Sequence, residues 1–88
     1  MGTAIYILRE LRKWVICETV QQNWDEMLFE MRFKSLTECY IEVTKRYPEA
    51  RTLQGIELPH HYLSIEKMEV SKRGDTKSET IRFYTLEF

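Results

Sequence analysis

Eighty-eight residues, 43% apolar and 31% charged, describe one globular domain, 1–88, rather than a disordered or membrane chain. A chain of this size buries roughly 60–65% of its unfolded surface, enough for a single core without staples. Thirteen basic and fourteen acidic residues leave a net charge of −1. That balance sets up no long-range field for nucleic acid or anionic lipid, and is too mild for a nucleic-acid mimic.

Residues 3–20 carry two competing patterns. Ile5 and Ile7 alternate with Tyr6 and Leu8, and Trp14, Val15, Ile16, Thr19 and Val20 have β-rich composition. Between them the run from Leu8 to Val15 follows a helical apolar–polar–polar–apolar template. No Gly, Pro, Asn or Asp stands between Ala4 and Gln22 to make a turn. The expectation is two strands, or one long bent strand, with a helix as the alternative. Residues 21–25 are polar punctuation, with Asn23 as turn residue. A strand over residues 26–33 follows, in which Met27, Phe29, Met31 and Phe33 alternate with Leu28, Glu30 and Arg32 and offer an apolar floor.

The helix for that floor is Ser35–Tyr47. Ser35 and Glu38 make an S-x-x-E capping box. Leu36, Cys39, Tyr40, Val43 and Tyr47 recur at three- and four-residue spacing as one stripe. Lys45 and Arg46 suit the C-terminal end of the dipole, and Pro48 enforces the stop. Residues 49–59 form a connection broken by Gly55 and Pro59, with Ile56 and Leu58 as a short strand. A C-terminal hairpin closes the chain. With Gly74-Asp75 at the centre of a type II′ turn, Met68 faces Ile81, Ile65 faces Tyr84 and Leu63 faces Leu86, against one like-charged pair, Lys67 with Arg82. In that register opposite faces are apolar near to and far from the turn, which calls for a bulge, a strong twist or burial against another chain. The fold class is α+β: a small antiparallel sheet of about four to five strands, one helix on one face and a C-terminal β-hairpin.

Chemistry-bearing constellations are sparse. His60 and His61 follow Pro59 near Glu57, but adjacent residues in extended chain point to opposite faces. H-E-x-x-H and paired C-x-x-C spacings are absent from the sequence. Cys17 and Cys39 lie inside apolar segments, where thiols are inert and reduced. The three glycines make no phosphate loop, and Asp25 and Asp75 sit at expected turn positions. Arg73-Gly74-Asp75 spells an integrin-binding tripeptide, yet Gly-Asp is what the turn itself demands. No catalytic group, metal or cofactor is therefore expected, and no small-molecule substrate.

Surplus apolar surface remains. Ile41 lies off the helix stripe, and Leu63, Ile65, Tyr84, Leu86 and Phe88 fall on the second face of the predicted hairpin, a pairing surface for a protein partner or for a second copy in a homodimer. No family motif is recognisable, but the layout resembles small proteins of phages and mobile elements that work by binding, anti-CRISPR inhibitors among them. The resemblance implies an inhibitor or adaptor that binds a larger host complex. The alternative function is nucleic-acid binding through a basic hairpin tip, Lys72, Arg73 and Lys77, together with Arg9, Arg12 and Lys13. Without a basic leader or an apolar run of spanning length, the expected location is cytoplasmic, with no membrane association.

Overall fold

The structure, a computed structural model, describes residues 3–15, 23–54 and 58–87. Cys17, Gly55, Ile56 and Phe88 lie outside the described residues. The chain forms β1 (Thr3–Val15), β2 (Asn23–Phe33), α1 (Leu36–Arg46), β3 (Arg51–Thr52), β4 (His61–Val70) and β5 (Thr76–Thr85). The strands make a five-stranded antiparallel sheet in the order β2-β1-β4-β5-β3, with α1 packed against β1 and β2. This is the small α+β fold expected.

The ambiguous first segment is one long strand. β1 pairs with β2 along one edge and with β4 along the other, and that double pairing overrides the helical spacing of Leu8 to Val15. β2 begins at Asn23, not at Glu26, because β1 extends far enough to place Lys13, Trp14 and Val15 opposite Asp25, Trp24 and Asn23. Asn23 and Asp25 are thus strand residues rather than turn residues. In the later connection the short strand is Arg51–Thr52, while Leu58 lies outside any strand.

Directly opposed residues share a face of the sheet. Tyr6, Leu8 and Glu10 therefore share one with Phe33, Met31 and Phe29 of β2, and with Ile65 and Leu63 of β4. This is the face α1 covers: Leu8, Cys39, Val43, Leu63, Ile65 and Tyr84 form the buried cluster, with Phe29, Phe33, Leu36, Tyr40, Tyr47, Ile81 and Leu86 packed around it. A bulge at Leu28 moves Met27 opposite Leu11, so Met27 does not belong to the floor with Phe29. The other face is not bare. Ile7 is fully buried there, in register between Arg32 and Glu66, and Tyr62 meets Phe83 edge to face at 6.0 Å.

The helix ends as its sequence dictates. The Ser35 hydroxyl accepts the Glu38 amide at 3.2 Å, and the Tyr47 amide closes on the Val43 carbonyl at 2.8 Å before Pro48. The hairpin differs from its expected register. Its loop is Lys72-Arg73-Gly74 rather than a two-residue turn: the Gly74 amide donates to the Ser71 carbonyl and the Ser71 amide to the Asp75 carbonyl, both at 2.9 Å, with Gly74 at φ 87°. This is a type I turn closed by a glycine bulge. The longer loop and a second bulge, at Ile81, place Leu63 opposite Tyr84, Ile65 opposite Arg82 and Met68 opposite Ser78. Lys67 now faces Glu79 and Glu69 faces Lys77, replacing the like-charged pair with two favourable ones.

Substitutions separate these devices. Gly74→Val introduces a Cβ with no neighbour within 4 Å, so its penalty is purely backbone strain, about 1–3 kcal/mol. Ser35→Ala removes the cap at about 1 kcal/mol, whereas Leu63→Ala opens a core cavity at roughly 2–5 kcal/mol. Denaturant unfolding of the three variants is expected to rank Leu63→Ala as the most destabilised.

Candidate interaction surface

The sheet has two open edges, and they differ in character. β3 pairs only with Tyr84 and Thr85 of β5, leaving residues 76–80 of that strand along an outer edge of Thr, Lys, Ser, Glu and Thr, all exposed. Charged and β-branched polar side chains are the usual guard of such an edge. The outer edge of β2 carries no paired strand among the described residues. Here Met27, Leu28 and Met31 are 54%, 39% and 39% exposed. The reason is local: Leu28 is the bulged residue and Met27 precedes it, while Phe29 and Phe33 but not Met31 pack against the core cluster. Arg46 of the helix stacks over the Phe29 ring at 4.2 Å.

The residues nominated from sequence scatter. Leu63 and Ile65 have no exposed surface and Tyr84 only 7%, so they belong to the intramolecular core. Leu86 packs against the same core, and Phe88 lies outside the described residues. Leu63 and Ile65 do lie on the face of β4 opposite Met68, but that is the face α1 covers, not one left open to a partner. Of the set, Ile41 alone is shown strongly exposed, on the outer side of α1. Lys72, Arg73 and Lys77 are exposed at the hairpin tip, but Lys77 faces Glu69, which also binds Lys67 at 2.8 Å. Arg9, Arg12 and Lys13 form no joint patch. Arg9 binds Glu66 and lies 3.5 Å from Glu30 on one face, while Arg12 stacks over Trp14 on the other.

No family model, no curated protein and no solved structure matches this chain in comparisons with known proteins. Among the described residues no helix is long and apolar enough to cross a membrane, and no group of three His, Cys, Asp or Glu side chains is disposed to hold a metal.

One polar cluster escaped the sequence reading. On the helix face, Glu10 accepts a hydrogen bond from the Tyr47 hydroxyl at 2.7 Å on one carboxylate oxygen, and meets His61 Nε2 at 2.6 Å on the other. Its two partners, Tyr47 and His61, line a hollow of about 270 Å³ together with Arg46, Pro48 and Leu86. Burial pushes the Glu10 carboxyl up, but the hydrogen bonds from Tyr47 and His61, with the charges of His61 and Arg12, outweigh it and leave the group below its ordinary value. Burial and the same carboxylate raise the Tyr47 hydroxyl. Both Glu10 oxygens are occupied by partners that tie the helix end to β1 and β4, an arrangement that fixes structure rather than freeing a base. Cys39 offers no nucleophile, since burial pushes its thiol up to about 11.

The depressed Glu10 carboxyl makes a signed prediction. A group whose pKa is lower folded than unfolded contributes stability above its unfolded value, and loses it as pH falls through the folded one. The stability gap between the parent and Glu10→Gln should therefore be open at neutral pH and close in acid. Tyr47→Phe should move the Glu10 carboxyl back up, measurable by carboxyl-resolved NMR titration.

Proposed function

We propose that this chain is a non-enzymatic protein-interaction module whose contact surface is the outer edge of β2. The observation that carries this reading is the pairing of an eleven-residue edge strand, open among the described residues, with three exposed large apolar side chains, where unengaged edges ordinarily present charge or proline. An incoming strand would satisfy the open backbone groups and cover Met27, Leu28 and Met31, the mode of recognition by strand addition. An inhibitor or adaptor that binds a larger host complex would use its surface in this way. The burial of the Cys39 thiol and the saturated Glu10 carboxylate support binding over catalysis.

Binding of nucleic acid through the hairpin tip is the competing reading, favoured only by the exposure of Lys72 and Arg73. Capture experiments separate the two. Met27→Lys with Leu28→Lys should abolish partner capture while leaving the fold intact, and Lys72→Glu with Arg73→Glu should leave capture unchanged. A steep fall of binding with salt, together with loss of capture in the tip variant, would reverse the assignment.

A further inference from the structure

The segment of β2 between the Leu28 bulge and the start of α1 is complementary to itself. Two identical antiparallel strands related by a two-fold axis normal to their sheet have one residue that faces its own copy, and all other pairs follow from that choice. Centring on Met31 sets Phe29 opposite Phe33 and Glu30 opposite Arg32, each pair occurring twice. Faces sort correctly as well. Phe29, Met31 and Phe33 lie on the helix side, opposite Glu10, Leu8 and Tyr6, whereas Glu30 and Arg32 lie on the other, opposite Arg9 and Ile7.

Neighbouring registers fail on charge or on geometry. Centring on Glu30 or Arg32 brings a charge against its own copy. Centring on Phe29 runs the pairing through the bulge, where Met27 has changed face and cannot meet Met31. Arg32 is available for the exchange, with its side chain 63% exposed and its present contact to Glu30 at 3.3 Å.

We propose that residues 29–33 pair antiparallel with the same residues of a second copy, joining two five-stranded sheets into one across a dyad at Met31. This rests on the reading of the β2 edge as the interaction surface and assigns its straight stretch, beyond Met27 and Leu28, to a second copy of the chain. The bulge on one side and the helix start on the other confine the pairing to five residues. So short a contact falls below the area of a permanent interface, so the dimer forms in a concentration-dependent equilibrium.

Sedimentation equilibrium of the full chain tests this, with chemical cross-linking by introduced cysteines. The parent should show a monomer–dimer equilibrium. Met31→Lys, which sets two ammonium groups face to face, should raise the dissociation constant at least about tenfold, and Arg32→Glu should do the same through an exposed position that the fold tolerates. In a Cys17→Ser background, Met31→Cys should form a disulfide-linked dimer on mild oxidation, whereas Ser78→Cys, on the other open edge, should not. A parent that stays monomeric at every concentration, an unchanged dimer in both charge variants, or preferential cross-linking through Ser78→Cys overturns the proposal. A monomeric parent that still loses a partner with Met27→Lys and Leu28→Lys would remove self-pairing alone and leave the β2 edge as a surface for another protein.

Discussion

The structure depends on β1 being paired on both sides. A strand carrying Arg9, Glu10, Arg12 and Lys13 is a poor candidate for an interior position, and it holds that position because its charges find partners on both faces. Arg9 sits between Glu66 of β4 and Glu30 of β2, while Glu10 binds Tyr47 from the helix and His61 from β4. Hydrogen bonds to charged groups contribute roughly 1.5–3 kcal/mol each when well made, and an unpaired partner would be strongly destabilising. The ionic groups thus join three strands and the helix end around the buried apolar cluster of Leu8, Cys39, Val43, Leu63, Ile65 and Tyr84.

That division of labour explains how one short helix suffices. Only the face holding Leu8, Leu63 and Ile65 receives α1. On the opposite face Arg9, Glu30, Arg32 and Glu66 are joined by ion pairs at register positions around Ile7, and long polar side chains can cover apolar surface with their stems. The two bulges fit the same scheme. The one at Ile81 lets that residue reach the core while Arg82, beside it, stacks over Tyr40. The one at Leu28 re-aims the end of β2 and limits how much of the edge remains straight. The proposed binding surface lies where the scheme runs out: at the outer edge of β2, where no further strand among the described residues covers its methionines.

Local signals were legible wherever a residue acts on its own neighbourhood. Ser35, Glu38 and Pro48 set the helix limits because capping and proline sterics operate within one turn. The stripe from Leu36 to Tyr47 announced its buried face, since 3.6-residue periodicity needs no knowledge of what lies beneath. Gly74 marked a position of positive φ. The sequence also contained the charge pairs Lys67–Glu79 and Glu69–Lys77, which signalled the true register against the Lys67–Arg82 clash, although a glycine serves equally in a two- or three-residue loop.

Nonlocal facts had to come from the tertiary structure. Whether residues 3–15 are strand or helix is undecided by their own pattern and was settled by two flanking strands supplying backbone partners. The faces of Leu63 and Ile65 are set by pairing with β1 and that of Tyr84 by the bulge at Ile81, and no local composition distinguishes a bulged residue from its neighbour. Glu10, Tyr47 and His61 are far apart in the chain, and only strand order brings them together. The sequence by itself determined the class of fold, the helix and its caps, because those follow from short-range sterics and periodicity. Which apolar side chains are core and which remain on an open edge was decided by register and strand order, because burial is a property of neighbours that the chain meets only after folding.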